Sequence, residues 1–221
     1  MRLLIIIFIF LFSGCGDKVQ QPWRDSSISS YEAYKRSFLR GDKVGVRFNY
    51  EATKKEAKSS LHLATLLRLY LAEYGLEMAS LNYDFENEQI DKILNLEPDP
   101  KLKAYFSFLN GDFSINKDLL PKKYQKLVGY IKDNKLDKLA PTIKGMKDPV
   151  SAIISTSITL HYVHKSKPLY QEAIERISFY GYKGLISKWT QSYIEYLKSI
   201  NDNEEIKIYK NKLELIQSDS E

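Results

Sequence analysis

The residues best suited to chemistry in this chain are its three histidines, two of which stand close together. His161 and His164 are three positions apart, a spacing that places both imidazoles on one face of a helix. A zinc ion could use this pair, but it would need one or two further ligands. No acidic residue stands near the pair, and no His-Glu-x-x-His motif is present. We therefore interpret the pair, and His62 in an apolar stretch, as structural, and we predict no metal site.

A cluster of acidic residues suggests a second kind of metal chemistry. Asp84, Glu86, Glu88 and Asp91 lie within eight positions, and carboxylates are preferred ligands of Ca²⁺. The cluster lacks the glycine and the ligand spacing of an EF-hand loop. We interpret it as a solvated loop followed by the start of a helix.

Recognisable catalytic motifs are absent from the sequence. There is no Gly-x-Ser-x-Gly motif, no phosphate-binding loop and no dinucleotide fingerprint. The segment Gly181-Tyr182-Lys183-Gly184 reads as a turn that joins two helices rather than as a phosphate cradle. We therefore predict that the protein is not an enzyme and that it uses no cofactor.

The single cysteine, Cys15, follows ten apolar residues, Leu3 to Phe12, and two small residues. The apolar run is too short to span a membrane, which takes about 20 residues, and its position after Met1 and Arg2 indicates an export signal. These features resemble the signal peptide and lipobox of a bacterial lipoprotein. The resemblance implies that residues 1–14 are removed and that Cys15 carries lipid. The implied recognition positions are Leu11, Phe12, Ser13 and Gly14, with phenylalanine where the family prefers leucine.

The lipoprotein resemblance also implies a location. Two or more acyl chains hold a protein stably on a membrane, so the N-terminal lipid would make the membrane a permanent partner. In this family an aspartate directly after the cysteine often marks proteins kept at the inner membrane. Here Gly16 holds that position and Asp17 follows it. We expect the outer membrane, facing the periplasm, with the inner membrane as the alternative.

Charge is unevenly distributed along the 221 residues, whose formal net charge is +5. Eight acids and one lysine lie between Glu73 and Asp99, whereas nine lysines and three acids lie between Lys117 and Lys147. Such asymmetry can steer a partner or a membrane surface; alternatively, the two segments are solvated helix faces that pair with each other. We expect no nucleic-acid binding, because an exported protein does not meet this ligand and the basic segment has few aromatic residues.

Apolar residues recur every three or four positions along most of the chain, which predicts an all-α fold. Leu61 to Leu71 is apolar nearly all round and Pro149 to Leu160 carries no charge, so both segments are predicted to be buried helices. Residues 16–28 are polar and are interpreted as a tether. The predicted organisation is a signal peptide (1–14), the lipidated cysteine and tether (15–28), a helical repeat domain (29–216) and a C-terminal tail (217–221).

Five glycines recur at intervals of 34 or 36 positions: Gly41, Gly75, Gly111, Gly145 and Gly181. The segment Ser37 to Asp42 nearly recurs as Ser107 to Asp112. Glycine ends helices in a left-handed conformation, and the following aspartate can cap the next helix. A period near 34 residues resembles the tetratricopeptide repeat. The resemblance implies antiparallel helical hairpins stacked as a solenoid, with an irregular helical bundle as the alternative.

Helical solenoids usually bind extended peptides or partner proteins in a concave groove. We therefore predict a membrane-anchored protein–protein interaction scaffold in the bacterial envelope, serving assembly, secretion or pilus-type machinery. Exposed aromatic residues would anchor the partner. The candidate contacts are Tyr31, Tyr34, Tyr105 and Tyr162, whose alternative role is packing in the hairpin core. An envelope enzyme with an unrecognised site, or a small-ligand or glycan binder, is the alternative function.

Overall fold

The computed structural model describes residues 22–59 and 62–218. This part of the chain contains helices and no strand, which confirms the predicted all-α class. The α-helices are α1 (Pro22–Arg40), α2 (Lys43–Ser59), α3 (Leu63–Ala79), α4 (Glu88–Leu96), α5 (Pro100–Leu109), α6 (Lys122–Lys132), α7 (Leu139–Lys144), α8 (Pro149–Tyr162), α9 (Lys167–Phe179), α10 (Lys183–Ser199) and α11 (Asn203–Ser218). Cys15 and its recognition positions Leu11, Phe12, Ser13 and Gly14 lie outside the described residues.

Two predicted buried helices form the centre of the fold. The apolar segment beginning at Leu61 contributes to α3, and the uncharged segment beginning at Pro149 forms α8, in which ten consecutive residues from Ser151 to Leu160 are buried. The start of α8 is fixed by Asp148, whose carboxylate accepts a hydrogen bond from the backbone N–H of Val150. The prediction of a buried helix is confirmed for α8. In α3 the buried residues run from Leu67 to Ala79, later in the chain than the predicted segment.

The repeated Gly-Asp segments form equivalent helix-ending turns. Gly41 and Gly111 have φ angles of 77° and 73°, and the backbone N–H of the aspartate after each glycine donates to a carbonyl five residues earlier, at 2.9 Å in both cases. These left-handed conformations favour glycine because it has no Cβ. The predicted helix-ending role of both glycines is therefore confirmed. Asp42 also caps the next helix, since it accepts a hydrogen bond from the backbone N–H of Gly45 in α2, whereas Asp112 accepts one from Ser114, which lies in no helix.

Gly75 has a different role from the turn glycines. It lies inside α3 and is buried, so no hairpin turn is present at this point of the 34-residue spacing. A Cβ placed on Gly75 would lie 3.3 Å from both the Ile154 side chain and the Tyr105 hydroxyl. The glycine thus permits close packing of α5 and α8 against α3. The spacing of glycines along the sequence does not show whether a given glycine serves such packing or a turn.

Helices that are distant in sequence meet at the end of α3. The indole N–H of Trp189, on α10, donates to the carbonyl of Ala79 at 2.8 Å, and the Ser157 hydroxyl, on α8, donates to the carbonyl of Met78. Trp189 is completely buried. These two hydrogen bonds satisfy carbonyls at the C-terminus of α3, which have no partner within the helix. They also connect the first half of the domain to the last.

The helical domain begins and ends beyond the predicted limits. α1 begins at Pro22, so the last seven residues of the predicted tether are helical, and α11 continues to Ser218. Proline is favoured in the first turn of a helix because its missing N–H would have no partner there. Within residues 22–59 and 62–218, no helix has both the length and the apolar character needed to cross a bilayer.

Candidate partner-binding surface

Two of the four tyrosines proposed as partner contacts converge on one cleft. Tyr31 from α1 and Tyr105 from α5 both line a cavity of about 180 Å³. They are 74 positions apart in sequence, and each is half-buried. The cleft is completed by Arg68 on α3 and by Tyr124 and Ser151 on α6 and α8. We refer to this cavity as the tyrosine cleft.

The other two tyrosines lie elsewhere. Tyr34 is only 2% exposed and packs against Tyr50, with ring centroids 5.2 Å apart. It is therefore a core residue, the alternative role that the sequence left open. Tyr162 is 39% exposed, but its ring covers the turn after α5, where a Cβ on Gly111 would lie 2.4 Å from the ring. Tyr31 and Tyr105 therefore line the cleft, whereas Tyr34 and Tyr162 do not. The Tyr34 ring lies in the core with its centroid 6.2 Å from that of Tyr31.

Polar and aromatic side chains lie along one wall of the tyrosine cleft. The Tyr105 and Tyr124 rings stack on each other, with centroids 5.7 Å apart, and Ser151 lines the cleft beside them. The Ser151 hydroxyl donates to the Asp148 carboxylate, which accepts a second hydrogen bond from Lys123 Nζ at 3.0 Å. The network holds these side chains in fixed positions, as a recognition surface requires.

The tyrosine hydroxyls of the tyrosine cleft are neutral. Burial raises the pKa of Tyr105 well above its ordinary value, and it also raises the pKa of Tyr31 and Tyr124. At neutral pH these hydroxyls therefore donate and accept hydrogen bonds and do not act as bases. This arrangement suits polar recognition better than proton abstraction.

Among the described residues, Asp148 is the one acid that lines the tyrosine cleft or the cleft that adjoins it. Partial burial raises the pKa of its carboxyl group, but hydrogen bonds from Ser151 and Lys123 together hold that pKa below the ordinary value. The carboxylate is therefore ionised at neutral pH. It caps α8 and positions Lys123 at the same time.

A second cleft adjoins the first and is strongly basic. It has a volume of about 520 Å³ and lies between α6, α7 and the start of α8. The two clefts share Lys123 and Ser151. The additional cations on its walls are Lys122, Lys126 and Lys147. We refer to this cavity as the lysine cleft, and to the two together as the tyrosine–lysine surface.

The positive charge of the lysine cleft is not neutralised by the acidic segment between Glu73 and Asp99. Among the described residues, no ion pair joins that segment to the basic segment between Lys117 and Lys147. The side chains of Lys122, Lys126 and Lys147 are exposed. The two charged segments therefore do not pair with each other, and the lysines are available to an outside anion.

The sequence revealed only part of this surface. The run of lysines indicated a basic region, and it supplied four of the five cations. Arg68 was missed because its neighbours form the apolar segment of α3, although a lone arginine in such a segment is itself a signal that one edge of the helix reaches solvent. No pattern in the sequence indicated that Asp148 and Ser151 belong to this surface, because their role there depends on contacts between α6 and α8.

Within residues 22–59 and 62–218, no group of three or more His, Cys, Asp or Glu side chains is placed to hold a metal ion. The His161 ring stacks on Tyr83, with centroids 3.7 Å apart and planes at 14°. Burial lowers the pKa of His161.

In the acidic cluster, Glu88 forms an ion pair with Lys92 at 3.1 Å on the surface of α4.

Glu73 is a second titratable group with an altered environment. Burial raises the pKa of its carboxyl group. Tyr50 donates to the carboxylate at 2.7 Å and Asn87 at 3.2 Å. The residue does not line the tyrosine–lysine surface, and its hydrogen bonds connect α2, α3 and the start of α4. We interpret Glu73 as a structural residue.

Neither the protein-family models, nor the curated proteins, nor the solved structures give a significant match to this chain.

Proposed function

We propose that this protein is a lipoprotein of the bacterial envelope whose helical domain acts as a scaffold that binds a partner protein. The signal-like segment before Cys15 supports the anchor. The tyrosine–lysine surface supports the binding role, and it is the observation that carries the proposal. The outer membrane, facing the periplasm, is the proposed location.

The chemistry of the surface defines the partner. A cavity of about 180 Å³ is smaller than the 300–1,000 Å³ or so typical of small-molecule sites. It is large enough for one aromatic or aliphatic side chain, held among Tyr31, Tyr105 and Tyr124. The adjoining lysine cleft complements carboxylates. The proposed ligand is therefore an acidic protein segment with one large side chain that enters the tyrosine cleft.

The proposed scaffold is built from helical hairpins. The pairs α1–α2, α9–α10 and α10–α11 are sequential neighbours that pack together, as hairpins do in tetratricopeptide-like solenoids. We include this architecture in the proposal because the turns at Gly41, Gly111 and Gly181 share one left-handed geometry. The tyrosine–lysine surface lies where α1, α3, α5, α6, α7 and α8 meet.

A crosslinked pull-down tests the binding role. The full-length protein is recovered from its native envelope after mild solubilisation, and it is compared with the double variant Lys122→Glu/Lys126→Glu. The matched control is Lys207→Glu/Lys210→Glu, which reverses two exposed charges on α11 at a similar spacing. We expect one specific partner to be lost from the first variant and retained by the control.

Other outcomes of the pull-down would contradict the proposal. Equal retention of the partner by both variants would show that the tyrosine–lysine surface does not bind it. Recovery of envelope polysaccharide in place of protein would favour the glycan-binding alternative. The anchor is tested separately by the mass of the mature chain, since the proposal requires a diacylglyceryl group on Cys15 and no lipid on a Cys15→Ser variant.

A further inference from the structure

The outward face of α2 carries large apolar side chains in contact with solvent. Val44 is 81% exposed and Phe48 is 73% exposed. They are one helical turn apart, and Ala52 follows after another turn, so the three form a stripe along the helix. The opposite side of α2 carries its buried residues, Thr53 and Ala57. The exposed stripe is therefore a second apolar face, separate from the one that packs on the domain.

Cations flank this apolar stripe. The helix carries five basic side chains against two acidic ones, Glu51 and Glu56. The basic residues are Lys43, Arg47, Lys54, Lys55 and Lys58. Lys54 lies 3.9 Å from Glu51, the one ion pair seen for this helix within the described residues. A helix with an apolar stripe bordered by Lys and Arg is typical of segments that lie in the headgroup region of anionic membranes.

The hairpin geometry places α2 close to the membrane anchor. Asn49 donates to the Ser37 hydroxyl at 3.3 Å, and the rings of Tyr50 and Tyr34 are 5.2 Å apart. As residue numbers rise along α2, their partners on α1 fall, so the two helices are antiparallel. The end of α2, with Lys54, Lys55 and Lys58, therefore returns to the beginning of α1.

The distance from the anchor to this end of the hairpin is short. α1 begins at Pro22, and six residues separate it from Cys15. A fully extended chain covers about 3.5 Å per residue, so the start of α1 stays within about 25 Å of the lipid. A tether of this length gives the basic end of α2 a high effective concentration at the bilayer surface.

We propose that the outward face of α2 docks on the anionic surface of the membrane that holds the protein. Val44 and Phe48 enter the boundary between headgroups and acyl chains, while Lys55 and Lys58 contact lipid phosphates. The lipid then sets the location of the domain and α2 sets its orientation. The inference uses the membrane anchor of the proposed function but is independent of the partner-binding surface.

A fluorescence-quenching experiment on the full-length protein tests the orientation. Cys15 is the only cysteine, and in the lipidated protein its thiol is occupied by lipid. The variant Ala52→Cys therefore offers a single free thiol, on the outer side of α2, for an environment-sensitive dye. Lys144→Cys is the matched control, since Lys144 is exposed on α7, whose neighbours are α6, α8 and α9. Each labelled protein is placed in vesicles of phosphatidylethanolamine and phosphatidylglycerol that contain lipids brominated on their acyl chains.

We expect brominated lipid to quench the dye at position 52 and to leave the dye at position 144 unaffected. The quenching at position 52 should be lost in vesicles of phosphatidylcholine alone. It should also be lost in the variant Lys55→Glu/Lys58→Glu, but not in Lys207→Glu/Lys210→Glu. Folding of each variant is checked by circular dichroism before labelling.

Three results would overturn the inference. The first is equal quenching at positions 52 and 144, and the second is quenching at position 52 that is unchanged by lipid charge or by Lys55→Glu/Lys58→Glu. The third is shielding of position 52 only after an envelope protein extract is added, which would make the face a protein interface. The mass of each sample shows whether Cys15 carries lipid, so failure of the anchor is distinguished from failure of the docking.

Discussion

The backbones of Gly41 and Gly184 are in direct contact, at the point where the turn after α1 meets the first turn of α10. A Cβ placed on Gly184 would lie 2.7 Å from the backbone N of Gly41 and 2.6 Å from the carbonyl oxygen of Phe38. Backbone atoms cannot move aside as the end of a flexible side chain can. This contact joins the first helical hairpin to the C-terminal helices, and it exists only because neither position has a side chain.

The first prediction is that Gly184→Ala destabilises the domain by about 2 kcal/mol, because the added methyl group forces α1 and α10 apart. The matched control is Gly129→Ala on α6, where the nearest atom to an added Cβ would be 3.9 Å away. This control should be neutral or stabilising by up to about 1 kcal/mol, since alanine is the better helix former. Urea denaturation of the two variants provides the measurement, and equal stabilities would contradict the prediction.

The second prediction concerns the pH dependence of stability at Glu73. Burial raises the pKa of this carboxyl group above its ordinary value of 4.5, so the folded state binds the proton more tightly than the unfolded state. The protonated carboxyl group therefore stabilises the folded protein. This stabilisation is complete at pH values below 4.5, and it is lost as the pH rises through the pKa of Glu73 in the folded state. Glu73→Gln removes the ionisation while keeping an oxygen that can accept from Tyr50.

Glu73→Gln should therefore be more stable than the parent protein at about pH 7, and the difference should shrink on acidification to about pH 4. The control is Glu51→Gln, at a side chain that is 65% exposed, for which we expect a change within about 0.5 kcal/mol. Thermal unfolding across this pH range checks the prediction. A Glu73→Gln variant that loses stability most strongly at neutral pH would show that the charged carboxylate is required.

The third prediction separates the two roles of Asp148, the cap of α8 and the acid of the lysine cleft. Asp148→Ala removes the cap and should cost about 1 kcal/mol of stability, whereas Asp148→Asn should cost less because asparagine caps equally well. Both variants remove the negative charge beside Lys123. Each should therefore retain the acidic partner more strongly in the pull-down, despite their different stabilities. Weaker retention by Asp148→Asn would show that the carboxylate itself contacts the partner.

The helices that the sequence predicted most directly are those with the strongest patterns. The uncharged stretch from Pro149 predicted α8, and the Gly-Asp pairs predicted the turns at Gly41 and Gly111, because both depend on local properties of the chain. The predicted tether was too long, since the polar residues after Pro22 do not prevent a helix that packs against its neighbours. Gly75 had the spacing of a turn but serves close helix packing, a distinction that depends on Ile154 and Tyr105.

The sequence by itself determined the all-α class, the central helices, the basic segment and the resemblance of the N-terminus to a lipoprotein signal. Each of these depends on composition, on periodicity or on a short run of neighbouring residues. Only the tertiary structure decided which tyrosines face a cleft, that Arg68 joins them, and that the acidic and basic segments do not pair. Those features depend on helix packing that brings together residues as distant in sequence as Tyr31 and Ser151, and no local pattern specifies such contacts.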